Sequence, residues 1–406
     1  MADLRVVGHL DADSYYCSAE RVRFDFLRGR PLAVLGNQGV CVIARSYEMR
    51  EFGVKVGEPV WEAIRKCPDG AYLKRDFRWY EALSRRMLDL VRRVTGRAEY
   101  YSVDEFFFDA TPPRGMDHAA YATYLRDAVL EEVGVPVTVG IGRSRTIAKL
   151  ISDSAKPFGS SAVLDRASEE ALLAGQPIGE ISGIAGRRER KLAPWGIYNC
   201  LEFARADRRL IRSLLTADGE ALWWELNGEA VRPIRTERPA RKVVSRGGSF
   251  GGGTSDPHVL FGWLVRNLER LIEELRYHDV VTGRVVARVG YRDGRSREGR
   301  ASLDAPSNRF DTLLDAFRSC LRAAWIPHAS AGRMHLLAHD LVPKARAQLG
   351  LFSLVGRDVL TELKHRTNRK FGRFALRSAA TLAINHVYGD PTLSFDICDI
   401  PGKMCF

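Results

Sequence analysis

The sequence contains no long apolar segment: none of its 406 residues fall in an uninterrupted run of eighteen uncharged apolar residues, whereas a membrane-spanning helix needs about 20. The opening residues, MADLRVVGHLDADSYY, lack the basic region and the apolar stretch of a signal peptide. Its seven cysteines are scattered and never occur in CxxC spacing, which argues against a disulfide framework and a structural zinc site. These absences predict a cytoplasmic protein without a membrane partner.

Positive charge is in moderate excess. Lys and Arg total 62 against 50 Asp and Glu, which gives a formal net charge of +12 at pH 7. This excess favours a polyanionic partner, and nucleic acid is the leading candidate. A generally basic surface without such a partner is the alternative that charge alone leaves open.

Segment patterns predict several modules. Up to about residue 165, strand-like segments such as LRVVGHLDA and VPVTVGIGRS mix with helix-like segments such as EALSRRMLDLVRRVTGR and RTIAKLISDSA. This mixture is typical of an α+β fold. A mostly helical stretch follows, from about 169 to 228, and then VRPIRTERPARK, which indicates an extended basic linker. A second α+β module precedes a short tail that contains QLGLF.

Two adjacent acids interrupt the apolar segment YYSVDEFFFDA, residues 100–110. Charged side chains are rarely buried unless they are paired or hold a metal, so Asp104 and Glu105 need an explanation. Because neighbouring side chains of a regular strand point to opposite faces, both acids serve one site only where a strand begins or turns. An exposed hairpin tip with two solvated acids is the alternative interpretation.

A third carboxylate favours a metal site. Asp11 ends the apolar strand VVGHLDA, so two strand ends offer acids. Mg²⁺ prefers hard oxygen ligands such as carboxylates, and two such ions about 4 Å apart assist phosphoryl transfer. Asp13 shares a strand face with Asp11 if the strand continues, so spacing alone leaves open which of the two is the ligand.

Four segments in this order resemble the signature segments of Y-family translesion DNA polymerases of the DinB/UmuC class: LDADSYYCSAE, CVIARSYEMREFGVKVGEP, YYSVDEFFFDA and VTVGIGRSRTIAKLISDSAKPFG. The resemblance covers about residues 5–345. It implies a template-directed, low-fidelity DNA polymerase that performs translesion synthesis in DNA repair and SOS damage tolerance. The expected fold is α+β and multidomain, a right-hand polymerase with a ferredoxin-like palm, small fingers, a helical thumb and an α+β little finger.

The domain limits follow from the same resemblance. The helical stretch becomes the thumb, whose SGIAG segment resembles a helix-hairpin-helix turn with Ala185 in place of a usual glycine. The expected ranges are 1–30 and 75–168 for the palm, 31–74 for the fingers, 169–230 for the thumb, 231–242 for the linker, 243–340 for the little finger and 341–406 for the tail.

The resemblance also assigns the metal centre. It implies that Asp11, Asp104 and Glu105 are the catalytic carboxylates, that the backbone carbonyl of Ala12 is a further metal ligand, and that the cofactor is a pair of Mg²⁺ ions. Asp13 then becomes a structural residue.

Substrate contacts are implied in the same way, for primer-template DNA and deoxynucleoside triphosphates. Tyr16 matches a steric gate that lies under the sugar and collides with a 2′-hydroxyl. The remaining implied nucleotide contacts are Tyr15, Tyr47, Arg50 and Lys156. Arg and Lys are the usual clamps for a transferring phosphate.

The pentapeptide QLGLF resembles the bacterial sliding-clamp-binding motif, with Gln348, Leu349, Leu351 and Phe352 as the contacts. A few apolar anchors of this kind carry most of the binding energy of such peptides. The alternative is that these residues fold back onto the little finger.

Two alternative functions stay open at this point, and so does the choice between the DinB and UmuC branches of the family. A GGDEF-type nucleotidyl cyclase shares a palm-like fold and an acidic hairpin, but YYSVDEF lacks its glycines. A catalytically inactive polymerase-like scaffold would lose the acids that this chain keeps. GNQGVCVIARS and SFDICDIPGKMCF are UmuC-like, which implies UmuD-like and RecA-like SOS partners, whereas Tyr47 and Arg50 are DinB-like.

Overall fold

The computed structural model describes residues 6–36, 41–237, 240–347, 359–372 and 374–388. These residues form two compact units, the first within residues 6–237 and the second within residues 240–388. In the described ranges, no helix combines the length and the apolar character that crossing a membrane requires.

The first unit contains two sheets. A five-stranded sheet has the order β5-β6-β1-β7-β8, and a three-stranded sheet has the order β3-β2-β4. The strands are β1 (Val7–Ala12), β2 (Leu32–Leu35), β3 (Val42–Arg45), β4 (Ala71–Lys74), β5 (Ala98–Tyr100), β6 (Glu105–Asp109), β7 (Val137–Gly142) and β8 (Ser160–Val163). The α-helices are α1 (Tyr15–Arg23), α2 (Tyr47–Glu51), α3 (Val60–Lys66), α4 (Phe77–Thr95), α5 (His118–Val133), α6 (Arg145–Ala155), α7 (Arg166–Gly175), α8 (Gly186–Leu192), α9 (Cys200–Arg205) and α10 (Arg208–Leu226).

The small sheet is buried on both faces, which explains its continuous apolar segment LAVL. Leu32 and Val34 of β2 pack into the core of the five-stranded sheet. Ala33 and Leu35 point the other way, into a separate core with α2 and α3. Successive side chains of a strand project from opposite faces of the sheet. Strand β2 therefore contributes to both cores.

Helix α6 is fixed between the five-stranded sheet and the helical segment α7–α10. Ile147 and Leu150 pack into the core of that helical segment. On the other side the helix lies so close to β7 that a Cβ atom at Gly140 would be 2.4 Å from the carbonyl oxygen of Ala148 and 2.5 Å from the amide nitrogen of Ser152. Glycine at this position therefore sets the depth of α6 on the sheet.

The residues that follow α10 are held against the rest of the first unit. Arg145 donates a hydrogen bond to the carbonyl of Pro233 (2.9 Å) and pairs with Glu99. Glu99 in turn accepts a hydrogen bond from the amide of Arg235 (2.7 Å). A bidentate arginine–carboxylate pair is among the stronger polar contacts in proteins, so this part of the linker has a defined path.

The second unit is a four-stranded antiparallel sheet in the order β11-β10-β12-β9, with helices packed on it. Its elements are β9 (Val244–Thr254), α11 (Pro257–Tyr277), β10 (Val280–Tyr291), β11 (Ser296–Ser307), α12 (Phe310–Ala324), β12 (Ala331–Pro343) and α13 (Val359–Phe371), followed by a 3₁₀ segment, Ala379–Tyr388. The last two elements belong to this folded unit: Lys364 pairs with Glu269 of α11, and Ile384 is buried. The unit therefore extends beyond residue 340.

The close contact between α6 and β7 yields a test. We expect Gly140→Ala to destabilise the first unit by about 1–3 kcal/mol, because the added methyl overpacks against the helix backbone. Gly175→Ala is the matched control, since nothing lies within 4 Å of a Cβ atom there. Calorimetric unfolding of both full-length variants measures the difference, and equal stabilities would contradict this packing.

Candidate active site

The pairing of β1 with β6 places two acids side by side. Asp11 lies directly opposite Glu105 in the antiparallel register, and residues opposite one another project from the same face of a sheet. His9 precedes Asp11 by two residues and shares this face. Ligand atoms of His9, Asp11 and Glu105 all lie within 4.8 Å of one another.

Helix α6 and the residue after it bring two ammonium groups to these acids. Lys149 Nζ is 2.8 Å from Glu105 Oε1 and 3.8 Å from Asp11 Oδ2. Lys156 Nζ is 2.7 Å from Asp11 Oδ2 and 3.1 Å from Asp153 Oδ1. The sequence indicated Lys156 but not Lys149, although the i, i+4 spacing of Lys149 and Asp153 places both on one helix face.

Burial and charge oppose each other at this cluster. Burial raises the pKa of Asp11 to about 7, although the Lys156 ammonium acts in the opposite direction. Burial by itself would also raise the pKa of Glu105. His9 and Lys149 outweigh this effect and lower the pKa of Glu105 to about 2. Burial alone would lower the pKa of Lys156, whereas the carboxylates of Asp11 and Asp153 raise it. The carboxylates of Asp11 and Glu105 therefore need a nearby cation to stay ionised.

Asp104 lies in the turn between β5 and β6, where the sequence predicts a hairpin turn. Its carbonyl accepts a hydrogen bond from the amide of Ala12 (2.9 Å), so Ala12 and Asp104 are neighbours through the backbone. Its side chain accepts a hydrogen bond from Ser102. The structure thus brings together the backbones of all four predicted metal-binding residues, while the Asp104 carboxylate stands apart from the group formed by His9, Asp11 and Glu105.

Asp13 has a different environment from Asp11. The strand ends at Ala12, and Ser14 adopts a left-handed conformation with φ 45°. The Asp13 carboxylate accepts hydrogen bonds from Thr138 Oγ1 (3.1 Å), the amide of Phe158 (2.8 Å) and the Tyr47 hydroxyl (3.2 Å). These donors occupy its oxygens, so the geometry favours Asp11 over Asp13 as a metal ligand.

Aromatic rings cluster beside the acids. The Tyr16 ring is stacked on Tyr80, with centroids 4.6 Å apart and an interplanar angle of 18°, and it contacts Phe77 at 5.7 Å. Tyr16 is half-buried, whereas Tyr15 is only 4% exposed and donates its hydroxyl to the carbonyl of Tyr80. The predicted nucleotide contact of Tyr15 is therefore not available to its ring and would have to use its backbone.

Tyr47 is the first residue of α2, and Arg50 lies about one turn later in the same helix. The Arg50 guanidinium lies 4.3 Å from the centre of the Tyr47 ring, and Arg50 is exposed. The Tyr47 hydroxyl donates a hydrogen bond to Asp13, which immediately follows β1. Burial raises the pKa of Tyr47 to about 12, so this hydroxyl is a stable hydrogen-bond donor at neutral pH.

His9 is a site residue that the sequence analysis missed. It is fully buried, and burial lowers its pKa to about 4. Its Nδ1 lies 2.7 Å from Ser152 Oγ, and its Nε2 lies 3.9 Å from Glu105 Oε2. Its place two residues before Asp11 in the same strand, and so on the same face, is the signal that could have identified it.

The donor set suits a divalent cation. Carboxylate and carbonyl oxygens are the ligands that Mg²⁺ and similar hard ions prefer, and the register of β1 and β6 supplies two carboxylates on one face. The ammonium groups of Lys149 and Lys156 already neutralise part of this charge. Asp11 and Glu105 therefore fit such an ion, and Asp104 and the carbonyl of Ala12 stay predicted ligands.

Comparison with protein families places this site in context. The impB/mucB/samB family matches residues 10–153, which include all four predicted metal-binding residues. The C-terminal domain of the same family matches residues 241–351.

Curated relatives are similar along most of the chain. DNA polymerase IV 1 of Bacillus subtilis (strain 168) is 29% identical over 389 residues, which cover 93% of each chain. DNA polymerase IV of Methanoculleus marisnigri is 33% identical over 295 residues, or 71% of this chain and 81% of that relative. Protein MucB of Salmonella typhimurium is 28% identical over 358 residues, which cover 84% of each.

Solved structures share the fold. A Y-family DNA polymerase chimera of Dbh and Dpo4 has a TM-score of 0.70 at 21% identity, covering 83% of this chain and 99% of its own. DinB from Sulfolobus solfataricus has a TM-score of 0.52 at the same identity and coverage.

The fold and the acidic site define a DNA-directed DNA polymerase that depends on a divalent metal. The chain belongs to the Y-family polymerases of the DinB/UmuC class, which act in translesion synthesis. The predicted fold class, enzyme class and function are thereby confirmed. The comparisons support neither the nucleotidyl cyclase nor the inactive scaffold.

Proposed function

We propose that this polymerase extends a primer across damaged template with two Mg²⁺ ions held by Asp11, Asp104, Glu105 and the carbonyl of Ala12. The observation that carries the proposal is the β1–β6 register, which sets Asp11 opposite Glu105 with Lys149 and Lys156 as counter-ions. Two bound metal ions would activate the primer hydroxyl and stabilise the departing pyrophosphate. Asp13, held by three donors, supports the turn that carries Ala12.

The residues around the acids bind the triphosphate. Lys156 Nζ pairs with Asp11, and neutralisation of Asp11 by a metal would release this ammonium group to a phosphate. Tyr47 offers a hydroxyl and Arg50 an exposed guanidinium stacked on the same ring. Arginine and lysine complement the charge of a transferring phosphate. Tyr15 contributes through its backbone.

Tyr16 selects deoxyribose. Stacking on Tyr80 and contact with Phe77 fix the plane of its ring. A fixed ring rejects a larger sugar better than a mobile one, because it cannot move aside without losing its packing.

The domain ranges given above are part of the proposal, except that the little finger here comprises the whole second unit, which extends beyond residue 340. The five-stranded sheet corresponds to the palm, the small sheet with α2 and α3 to the fingers, α7–α10 to the thumb, and the second unit to the little finger. In the thumb, Gly183 has φ +99°, and its carbonyl accepts a hydrogen bond from Arg188 (2.9 Å), which fixes the SGIAG turn before α8. Backbone amides of such a turn bind DNA phosphates without reading sequence.

Gln348, Leu349, Leu351 and Phe352 lie outside the described residues, and we propose that they bind the bacterial sliding clamp. A ring around the duplex raises the effective concentration of a polymerase at the primer end. SOS accessory proteins of UmuD-like and RecA-like kinds are further proposed partners, because relatives of this chain include both DNA polymerase IV and MucB proteins. We place these events in the cytoplasm.

The carboxylates can be tested separately from DNA binding. We expect Asp104→Ala and Glu105→Gln to lower single-nucleotide insertion by at least about a hundredfold, since charge that develops in transfer loses its stabilisation. Primer-template affinity should change little, because it comes mainly from backbone phosphates. Glu131→Gln, at an exposed position of α5, is the matched control. Insertion at the wild-type rate by either site variant would disprove the assignment.

Sugar selection tests Tyr16. Tyr16→Ala should raise the ratio of ribonucleotide to deoxynucleotide incorporation by about a hundredfold, because the clashing atoms are gone. Tyr16→Phe keeps the ring and should keep the wild-type ratio. The measurement is competitive incorporation on one primer-template; a ratio that is the same in all three proteins would leave Tyr16 a packing residue.

Clamp binding has its own test. Leu351→Ala combined with Phe352→Ala should leave single-nucleotide insertion on naked primer-template unchanged and abolish stimulation by a loaded clamp. The matched control is Leu360→Ala with Leu363→Ala, two exposed leucines of α13. If stimulation survives the first pair of substitutions, the clamp contact lies elsewhere.

A further inference from the structure

Glu20 is a fully buried carboxylate of α1, with 0% of its side chain exposed. It follows Tyr16 by four residues, so the two side chains lie on the same face of the helix. A charged side chain is almost never fully buried unless it is paired. The partners of Glu20 therefore indicate what this carboxylate does beside the proposed steric gate.

Two partners hold the Glu20 carboxylate. Its Oε1 accepts a hydrogen bond of 2.6 Å from the Tyr80 hydroxyl, which is the short length typical of an ionised acceptor. Its Oε2 lies 3.3 Å from Arg23 Nη2, and Nη1 of the same guanidinium lies 2.9 Å from Asp76 Oδ2. The Asp76 side chain also accepts a hydrogen bond from the Trp79 amide at the start of α4. These contacts tie α1 to the helix that carries Tyr80.

Tyr80 connects this network to Tyr16. Its ring is fully buried and is stacked on the Tyr16 ring, with centroids 4.6 Å apart. Its amide donates to the carbonyl of Asp76 (3.0 Å), and its own carbonyl accepts from the Tyr15 hydroxyl. The other ring that contacts Tyr16 at its exposed side is Phe77, which is 44% exposed. Tyr80, held at its backbone and at its hydroxyl, is therefore the firmer support of the Tyr16 ring.

We propose that Glu20 is a positioning residue for sugar selection, which fixes Tyr80 and thereby the plane of the Tyr16 ring. This inference rests on the proposed role of Tyr16 in rejecting ribonucleotides. Rejection by collision is a difference between two affinities. A Tyr16 ring that can tilt relieves the collision with a 2′-hydroxyl and changes little for deoxyribose, which lacks that atom. Loss of the bond between Glu20 and Tyr80 should therefore favour ribonucleotides selectively.

Glu20→Met and Tyr80→Phe each remove this hydrogen bond and keep most of the side-chain volume. We expect each variant to raise the ratio of ribonucleotide to deoxynucleotide incorporation by about three- to tenfold, the range that one hydrogen bond of ordinary net strength allows. The rise should come from a higher kcat/KM for ribonucleotides rather than from a lower kcat/KM for deoxynucleotides. Steady-state insertion by the full-length proteins on one primer-template measures both values.

Two further variants separate positioning from general support of the fold. The double variant of Glu20→Met and Tyr80→Phe should show no additional increase, because both changes break the same bond. Glu20→Gln keeps an oxygen that accepts from the Tyr80 hydroxyl, so it should retain most of the wild-type ratio.

Tyr72→Phe is the matched control. Tyr72 is a buried tyrosine of β4 whose hydroxyl lies 2.8 Å from the carbonyl oxygens of Ala63 and Cys67. Its ring belongs to the separate core formed with α2 and α3. The variant loses a comparable buried hydrogen bond, and it should become less stable while keeping the wild-type ratio.

The outcomes distinguish Glu20 from the gate itself. A wild-type ratio in Glu20→Met and Tyr80→Phe, where Tyr16→Ala raises the ratio, would overturn the role of Glu20 and leave that of Tyr16 intact. An equal rise in Tyr72→Phe would also overturn it, because a general loss of stability would then explain the effect. An unchanged ratio in Tyr16→Ala would instead contradict the proposed function of Tyr16. If Glu20→Met does not fold, Tyr80→Phe decides the matter.

Discussion

The repulsion between two carboxylates at the end of buried strands is the constraint on which this structure depends. Asp11 is 5% exposed and lies opposite Glu105 in the β1–β6 register, and like charges directly opposite one another destabilise a sheet. Positive charge must therefore be supplied nearby. Lys149 and Lys156 supply part of it, and a divalent cation suits the same oxygens.

This need for positive charge explains why α6 occupies its position. The helix carries Lys149, and Lys156 follows its last residue. Its depth is set by Gly140, whose missing side chain lets the helix backbone contact β7. Its opposite face packs into the core of α7–α10. Helix α6 thus carries the lysine that pairs with Glu105 and also packs against the helical segment that we assign to the thumb.

The sequence predicts the elements better than it predicts their partners. Periodicity and turn residues identify β1, β7 and α6, and the resemblance assigns the acids. The contacts of Lys149 and His9 with the acids depend on the β1–β6 register and on the packing of α6 against the sheet. Both are tertiary contacts, so these two residues were missed. The choice between Asp11 and Asp13 depends on the left-handed turn at Ser14, for which serine gives no strong signal. The packing of α13 and the following 3₁₀ segment on α11 was also missed, because a basic, helix-like tail carries little sign of its partner.

The central claim is that Asp11, Asp104 and Glu105 hold divalent cations and that Lys156, which pairs with Asp11, binds the triphosphate when these cations are present. The most direct measurement is a crystal structure with primer-template, a nonhydrolysable deoxynucleoside triphosphate and Mn²⁺, with the ions located by anomalous scattering. We predict two peaks bound by Asp11, Asp104 and Glu105, with Lys156 moved from Asp11 to the triphosphate. Absence of anomalous density at these carboxylates, with Lys149 and Lys156 still paired to them, would contradict the account.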